Sequence, residues 1–406
     1  METAILVIFG LVYLSMILGE LPGLALDRTG VALLGAIAVV AVGSEPLVGA
    51  WSAVDMPTLY LLFAMMVISA QFRLAGFYTR VVRLLVAVAI GPVGLLGLVI
   101  GLAGLLSAVL TNDVICLAMA PILIDGCARR KLDPLPFLLA LACASNVGSA
   151  ATLIGNPQNI LIGQSLQLSF MSYFVDAGVP ALLGLGATWA VIALQFRGRW
   201  HREISVPHIE GPPFNRWQSL KGVAVTAALV TAFLFLHDLP REGVALMCAG
   251  VVLLSRRMAS REMMSLVDWH FLVLFVGLFI VNDAFQRTGA MDHAIDALRA
   301  GGADPSRPAV LFGLSAALSN VVSNVPATML LLPSADHPLS GAILGLSSTL
   351  AGNLFIVGSI ANIIVVDAAR SLGVAIGFRT HLRTGLPVTL ATLAIAAAWL
   401  TIRASL

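Results

Sequence analysis

Small polar residues interrupt two long apolar stretches of this chain, and the two interruptions lie 212 residues apart. The first, 110–113, reads Leu-Thr-Asn-Asp, and the second, 322–325, reads Val-Ser-Asn-Val. A proline, Pro121 or Pro333, follows nine residues after each asparagine. Polar groups inside a membrane are energetically costly, and they usually line the path of a substrate or an ion. Two copies of one such pattern predict a transporter built from a repeat.

The side chains at these interruptions can orient a ligand through hydroxyl and amide groups that carry no fixed charge. The candidate substrate ligands here are Thr111, Asn112, Ser323, Asn324 and Thr328. Asp113 differs, because the second copy has the neutral Val325 in its place. A carboxylate at a buried turn can bind Na⁺ or carry a proton, although aspartate also caps helices well. The asymmetry predicts one site for a coupling ion, H⁺ or Na⁺, in the first half, and no other cofactor is expected.

A second pair of interruptions falls at 155–159 and 358–362, which lie 203 residues apart. The first reads Gly-Asn-Pro-Gln-Asn, and its proline removes a backbone donor and turns the preceding residue away from the helical conformation. Half-helices that meet near the middle of the membrane would offer their N-termini to an anion and their C-terminal carbonyls to a cation. The candidate substrate ligands at these breaks are Asn156, Asn159 and Asn362.

The composition of the chain indicates that it lies in a membrane. Of its 406 residues, 59% are hydrophobic and only 11% are charged, whereas a soluble domain carries about 25% charged residues. This predicts an all-α, multi-pass protein whose main partner is the lipid bilayer. The net charge of +2 provides no basic surface for nucleic acid. The four cysteines form no C-x-x-C pair and no cluster with histidine, so no metal centre or disulfide framework is expected.

The apolar stretches predict five membrane-crossing helices in the first half. They lie at about 3–20, 28–43, 57–72, from Pro136 onward with loss of helix through 146–149, and at about 172–196. The stretches 92–110 and 113–125 are expected to form a hairpin that enters the membrane and returns to the same side. A polar linker at 198–217 separates the first repeat, 1–197, from the second, 218–406.

The second half repeats landmarks of the first. The segments 28–35 and 241–248 are identical at five of eight positions at an offset of 213. The same offset aligns 54–55 with 267–268, and Gly76 with Gly289. Because five crossings is an odd number, the second repeat should be inverted relative to the first. The landmarks therefore predict two inverted repeats, each with five crossings and one hairpin.

The distribution of lysine and arginine supports this arrangement. With the hairpins returning to their own sides, eighteen of these residues fall on one side of the membrane and five on the other. Positive residues concentrate on the cytoplasmic side of membrane proteins. The count therefore predicts a protein of the inner (plasma) membrane with both termini on the non-cytoplasmic side.

The motifs at the interruptions resemble those of the ion transporter superfamily. They are Thr-Asn-Asp at 111–113, Ser-Asn-Val-Gly at 145–148 leading into 152–159, and Ser-Asn-Val-Pro-Ala-Thr at 323–328. The closest resemblance is to the arsenite permease branch with its P-protein relatives, and the divalent anion/Na⁺ symporters are similar at a greater distance. The chain departs from the Ser-Asn-Thr tips of the symporters. It also departs from the Gly-Asp-Pro-Pro-Asn of the permease relatives, because 155–159 reads Gly-Asn-Pro-Gln-Asn.

The resemblance implies hairpins that enter from opposite sides, a mobile transport domain and a scaffold domain often used to form a homodimer. It also implies elevator-type alternating access. Carried over by motif, the cation-site positions of the symporters fall on Asn112, Gly155, Asn324 and Gly358. Together with Asp113, these are the residues expected to couple an ion.

Three functions follow from these observations. The first is a secondary transporter for a small anion, oxyanion or metalloid such as arsenite or antimonite, with a Na⁺-coupled dicarboxylate or citrate symporter as the alternative. The second is a Na⁺/H⁺ antiporter in which Asp113 exchanges the ions. The third is an intramembrane enzyme, which the sequence disfavours because it has no His-Glu zinc motif and no Gly-x-Ser-x-Gly. We therefore expect a transporter and not an enzyme.

Overall fold

The computed structural model describes residues 1–19, 25–43, 47–203, 206, 209, 211–236 and 238–405. The linker predicted at 198–217 therefore lies partly outside the described residues. The first half contains α1 (Glu2–Leu18), α2 (Arg28–Val42), α3 (Leu47–Ser52), α4 (Met56–Leu74), α5 (Phe77–Ala87), α6 (Pro92–Val109), α7 (Asn112–Arg129), α8 (Pro134–Ser149), α9 (Pro157–Ser165) and α10 (Phe170–Gln195). The second half contains α11 (Arg216–Phe235), α12 (Arg241–Leu253), α13 (Ser260–Met264), α14 (Trp269–Arg287), α15 (Ala290–Ala300), α16 (Pro308–Val322), α17 (Asn324–Leu331), α18 (Ser340–Ala351), α19 (Ile360–Ser371) and α20 (Phe378–Ser405).

The prediction of a helical, multi-pass membrane protein is confirmed at this level. In the described ranges no β-strand forms, and one isolated bridge joins Leu132 to His201. Six of the described helices, α4, α6, α10, α11, α14 and α20, are long and apolar enough to cross a membrane. Large apolar side chains remain exposed on their outer faces, among them Leu182 at 71% and Phe235 at 73%. Such a surface is suited to contact with lipid.

One boundary prediction was wrong. The sequence predicted that helix would be lost through 146–149, but α8 continues to Ser149 and the irregular segment is 150–156. The hydroxyl groups of Ser145 and Ser149 donate to the carbonyls of Ala142 (2.9 Å) and Asn146 (2.8 Å) within the same helix. Because these polar groups are satisfied inside the helix, they do not interrupt it.

The landmarks that align at an offset of 213 take the same local structure in both halves. Asp55 accepts a hydrogen bond from the backbone of Thr58 (3.3 Å) at the start of α4. Asp268 accepts one from the backbone of Phe271 (3.0 Å) at the start of α14. Gly76 and Gly289 precede α5 and α15 with φ of +66° and +73°, a left-handed conformation that glycine adopts without strain.

The tips of the two hairpins explain why the offset changes from 213 to 212. Two residues, Leu110 and Thr111, separate α6 from α7, whereas Ser323 alone separates α16 from α17. Ser323 makes the shorter turn with φ of +77°, which is uncommon for a residue with a side chain. The prolines that follow differ in their effect, because Pro121 lies inside α7 while Pro333 lies in a short 3-10 turn after α17.

The described helices pack as two groups. The scaffold group, α1, α2, α4, α11, α12 and α14, packs mainly against itself. The hairpin group, α6–α10 and α16–α20, forms the other body. Only limited contacts join the groups, among them α4 with α9 and α1 with α16, while α5 and α15 connect them along the chain.

Two features hold the hairpin group together. Gly104 of α6 lies directly against Gly148 of α8, so that the two backbones are in contact. Close backbone approach through small residues is the usual way in which helices associate in lipid. Arg403 of α20 forms an ion pair with the buried Asp176 of α10, with Nε and Oδ1 separated by 2.8 Å. These contacts tie α6, α8, α10 and α20 into one unit.

Candidate functional site

Four helix N-termini of the hairpin group converge on one small cavity, which Phe271 of the scaffold helix α14 also lines. The helices are α7, α9, α17 and α19, and the volume of the cavity is ≈ 30 Å³. Its lining is formed by Asn112, Asp113, Pro157, Gln158, Phe271, Ser323, Asn324, Val325, Ser359 and Ile360. The first turn of a helix has N–H groups without a partner inside the helix, and it carries a partial positive charge of about half a unit. These groups favour an anion or a small polar molecule, and a volume of ≈ 30 Å³ has room for about one or two water-sized groups.

Asn146, behind this cavity, joins the two halves of the chain. Its side chain is fully buried. Its Nδ2 donates to the side-chain oxygens of Asn353 (2.9 Å) and Asn362 (3.2 Å). Its Oδ1 accepts from Asn112 Nδ2 (3.1 Å) and Ser359 Oγ (2.9 Å). One amide therefore fixes the first hairpin tip and the break before α19 relative to each other.

Asn159 and Asn362 make equivalent hydrogen bonds in the two halves. Asn159 Nδ2 donates to the carbonyls of Ser149 (3.3 Å) and Thr152 (2.9 Å). Asn362 Nδ2 donates to the carbonyls of Gly352 (2.8 Å) and Phe355 (3.0 Å). Each acceptor pair is related by the same offset of 203 that aligns the two asparagines. Both side chains hold the irregular segment that precedes their own helix, so they shape the site from behind.

The two breaks also contact each other across the halves. Asn156 Nδ2 donates to Thr349 Oγ1 (3.3 Å), and Ser359 Oγ donates to Asn146 Oδ1 (2.9 Å). At the offset of 203, Asn156 corresponds to Ser359 and Asn146 to Thr349. The two contacts are therefore equivalent. In each, a residue at the break of one half donates to a residue of the other half, Thr349 of α18 or Asn146 of α8. Gln158 adds a third link, because its Nε2 donates to Thr349 Oγ1 (3.0 Å).

Two further buried side chains hold the irregular segments from α10 and α20. Tyr173 Oη donates to the carbonyl of Ala150 (3.1 Å), and His381 Nε2 lies 3.0 Å from the carbonyl of Asn353. A carbonyl can only accept, so His381 carries its proton on Nε2. Ala150 and Asn353 are again 203 residues apart. The backbone of each break is thus fixed by one donor from the long helix that follows it.

The hairpin tips meet the two glycines of the breaks. Asn112 N donates to the carbonyl of Gly155 (3.1 Å). With its amide oriented to satisfy its neighbours, Asn324 donates from Nδ2 to the carbonyls of Ser348 (3.1 Å) and Gly358 (3.3 Å). In the same orientation its Oδ1 accepts from Gln158 Nε2 (3.1 Å). A Cβ on Gly155 would lie 2.8 Å from the carbonyl oxygen of Ser107, so this approach requires glycine.

Several buried oxygens at the site have no hydrogen-bond partner in the part of the chain that is described. Among them are Thr111 Oγ1, Asn112 Oδ1, Asn159 Oδ1 and Thr328 Oγ1. Buried polar atoms are nearly always satisfied in folded proteins, and orphaned ones need an explanation such as an ion or a ligand. Hydroxyl and amide oxygens are suited to bind Na⁺ or the hydrogen atoms of a hydroxylated ligand.

The structure brings the predicted residues together in two layers. Asn112, Asp113, Ser323 and Asn324 line the cavity directly. The side chains of Asn156, Asn159 and Asn362 lie behind it in the hydrogen-bond network, and Thr328 is buried in α17 without lining the cavity. The sequence did not identify four residues of this network as candidate site residues: Asn146, Gln158, Thr349 and Ser359. Asn146 and Gln158 were inside the recognised motifs, and the offset of 203 was the available signal for the other two.

Comparison with known proteins places the chain among integral membrane transporters. The family model described as citrate transporter (CitMHS) matches residues 4–342, and the chain belongs to this family of the ion transporter superfamily. An uncharacterized transporter of Mycobacterium tuberculosis is 30% identical over 405 residues, with 93% of this chain and 94% of the relative covered. The recognition of the superfamily from its motifs is confirmed.

Two other comparisons extend this result. The silicon efflux transporter LSI3 of rice, Oryza sativa subsp. japonica, is 28% identical over 465 residues, with 96% of this chain and 95% of the relative covered. This relative is consistent with the predicted arsenite permease-like branch. The crystal structure of the YdaH transporter from Alcanivorax borkumensis matches with a TM-score of 0.61 at 16% identity, covering 98% of this chain and 96% of that one. That likeness concerns the fold alone.

Proposed function

We propose that the protein is a secondary active transporter that moves a small oxyanion or metalloid hydroxide, of the arsenite or antimonite type, across the inner membrane. The observation that carries the proposal is the convergence of four helix N-termini on one cavity lined by Asn112, Ser323 and Asn324. Helix N–H groups and amide side chains recognise the closely spaced oxygen atoms of a small ligand. The name of the rice relative concerns silicon, another metalloid with a hydroxylated form.

Charge at the site supports a small substrate of low charge. Among the described residues that line the cavity there is no lysine or arginine, and Asp113 contributes the one carboxylate. Helix N-termini can balance about one or two negative charges between them. A tricarboxylate would place three negative charges here without a cationic side chain. A metalloid hydroxide, which is neutral or singly charged, fits these groups better.

The coupling ion is proposed to be H⁺ or Na⁺, bound near Asp113 and the first hairpin tip. The tip supplies Asn112 Oδ1 and Thr111 Oγ1, two oxygens that lack a partner within the described residues. A cation at this position would neutralise the Asp113 carboxylate before the loaded site crosses the membrane. Asn112, Gly155, Asn324 and Gly358 remain the proposed cation-site positions.

Alternating access is proposed to occur by an elevator-type movement. Limited contact between the scaffold group and the hairpin group, compared with the close packing inside each, would permit them to slide as bodies. The reciprocal contacts Asn156–Thr349 and Ser359–Asn146 support a two-fold relation between the repeats 1–197 and 218–406, as expected for an inverted repeat. We also propose a homodimer formed through the scaffold group.

A Na⁺-coupled citrate-type symporter is the second candidate, because the family model is described as citrate transporter. A Na⁺/H⁺ antiporter centred on Asp113 is the third. Thermal stabilisation of the purified protein separates them with a panel of Na⁺, Li⁺, citrate, succinate, arsenite and antimonite at two pH values. A ligand at 100 times its Kd stabilises the folded state by about 2.7 kcal/mol. Stabilisation by citrate only in the presence of Na⁺ would replace our proposal with the second candidate.

Asn112→Ala and Asn324→Ala should each reduce arsenite or antimonite uptake into vesicles by at least about tenfold, with normal amounts of folded protein. Each substitution removes one uncharged ligand. Asn112→Ala also removes one of the two donors to Asn146 Oδ1, and Asn324→Ala removes the donor to the carbonyls of Ser348 and Gly358. Thr401→Ala is the control, because its hydroxyl donates only to the carbonyl of Ala397 (2.8 Å) on an exposed part of α20. Wild-type uptake by both asparagine variants would rule out this site.

The inverted arrangement predicts that α5 and α15 lie on opposite sides of the membrane. Single cysteines at the exposed positions Leu84 of α5 and Leu298 of α15 should react with a membrane-impermeant maleimide from opposite faces. The background should have Cys248 replaced, since the other three cysteines are buried. Labelling of both positions from one face would contradict the inverted repeat and the proposed placement of both termini outside.

A further inference from the structure

A second cavity lies beside the central one, where the first hairpin tip meets the start of α14. Its volume is ≈ 110 Å³. Apolar side chains form most of its wall, and its polar lining consists of Arg73, Thr111, Asp113 and Asp268. Asp113 and Thr111 belong to the hairpin group, whereas Arg73 lies in the last turn of α4 and Asp268 precedes α14 in the scaffold group. The cavity therefore lies between the two bodies.

We propose that Asp113, Asp268 and the Thr111 hydroxyl form an access site through which one monovalent cation, Na⁺ or H⁺, reaches the transport site. The inference rests on the proposed function and extends it to a residue of the scaffold group that neither the motifs nor the family resemblance identified. The site is complete only while the hairpin tip lies beside α14, because its two carboxylates belong to different bodies.

The Thr111 hydroxyl is the first argument for a ligand. Thr111 is only 4% exposed, it lines this cavity, and its Oγ1 has no hydrogen-bond partner within the described ranges. Threonine oxygen is a hard donor of the kind that Na⁺ prefers, and it can also orient a water molecule that carries a proton. A volume of ≈ 110 Å³ has room for a cation and a few water molecules.

The charge balance of the cavity is the second argument. Two carboxylates and one guanidinium leave one negative charge uncompensated. Of the elements around the cavity, α4 contributes Arg73, α7 contributes Asp113, and the residue before α14 is Asp268, while α19 contributes only isoleucines. Asp113 is half-buried among apolar side chains, and an uncompensated negative charge there favours the uptake of one unit of positive charge. A monovalent cation satisfies this balance, whereas a divalent ion would reverse it.

Continuity with the central cavity is the third argument. Four residues line both cavities, namely Asp113, Pro157, Phe271 and Ile360. Asp268 is exposed at the outer end, whereas Asp113 is half-buried where the two cavities meet. In the proposed topology Arg73 and Asp268 lie on the cytoplasmic side. A cation would thus pass from water at Asp268 to Asp113, and from Asp113 to Asn112 in the central cavity.

The test uses Asp268→Asn in the full-length purified protein. Asparagine keeps the cap on α14 but removes the charge. Thermal stability is measured against Na⁺ at fixed pH, and against pH in choline buffer without Na⁺. The half-saturating Na⁺ concentration should rise about threefold or more, or the pH midpoint should fall by about half a unit, since one nearby negative charge is lost. Asp268→Glu should restore wild-type behaviour.

Asp55→Asn is the matched control. Asp55 caps α4 as Asp268 caps α14, and it lines neither of the two cavities. Its replacement should leave the Na⁺ titration and the pH titration unchanged. The control therefore shows whether a shift in Asp268→Asn comes from the charge beside the cavity or from changing an aspartate that caps a helix. Equal shifts in the two variants would overturn the access site, because the effect would then come from capping.

Asp113→Asn separates failure of this inference from failure of the proposed function. If it abolishes the cation dependence while Asp268→Asn titrates as wild type, the access site is wrong and coupling at Asp113 stands. If Asp113→Asn itself titrates as wild type, coupling at Asp113 is wrong and the access site falls with it. A shift by Asp268→Asn together with loss of the dependence in Asp113→Asn supports both.

Discussion

Asn146→Ala should abolish transport and lower the thermal stability of the protein more than any other single change at the site. The substitution leaves four buried groups without their partner, on Asn112, Asn353, Ser359 and Asn362. Each unsatisfied buried group costs about 1–3 kcal/mol. The expected loss of folding free energy is therefore several kcal/mol, measured as a fall in the melting temperature of the detergent-solubilised protein. Uptake should fall at least about 100-fold, because the first tip and the second break are no longer fixed to each other.

Ser347→Ala is the control for this result. Ser347 is fully buried in α18, and its hydroxyl donates only to the carbonyl of Ile343 in the same helix. Its loss should cost about 1 kcal/mol and should leave uptake close to the wild-type rate. If Asn146→Ala transported and melted like Ser347→Ala, the contact between the halves would not determine the geometry of the site.

Gly148→Ala should prevent the close packing of α6 against α8. An added Cβ would overlap the Cα and the carbonyl oxygen of Gly104, and backbone atoms cannot rotate away. The helices must therefore separate, at a cost of about 3 kcal/mol or more, since overpacking of a tight core commonly costs 1–3 kcal/mol. Fluorescence-detected size-exclusion chromatography after heating would measure the loss of folded protein.

Gly101→Ala, on the same α6, is the matched control. An added Cβ there meets no other atom within 4 Å, so the change should alter stability by no more than about 0.5 kcal/mol. A folded yield of Gly148→Ala equal to that of Gly101→Ala would show that α6 and α8 do not touch at Gly104.

Residue types and their spacing predicted the local structure of this protein well. The apolar stretches predicted the helices, and the structure has α2 at Arg28–Val42 and α10 at Phe170–Gln195, within a few residues of the predicted bounds. The repeated landmarks predicted equivalent positions, and Gly76 and Gly289 both take the left-handed conformation before a helix. These features depend on neighbours in the chain, so the sequence contains the information for them.

The chain also shows where a motif in the sequence is an incomplete guide to conformation. Pro121 and Pro333 occupy the same place in the repeat, yet one lies within α7 and the other within a 3-10 turn. The helix α8 continues to Ser149, because Ser145 and Ser149 donate to carbonyls of their own helix and distant residues satisfy the Asn146 side chain. Local propensity cannot decide such cases, since their outcome depends on contacts made by distant residues.

The sequence by itself determined that this is a helical membrane protein with two polar tips and two breaks. Only the tertiary structure decided that Asn146 joins the halves through Asn353 and Asn362, and that Asp268 shares a cavity with Asp113. The physical reason is that these contacts join residues that are far apart in sequence. In lipid, moreover, the inner and outer faces of a helix are both apolar, so hydrophobic periodicity does not fix how the helix is rotated. Hydrogen bonds and close backbone contacts between distant segments set that rotation, and with it the geometry of the site.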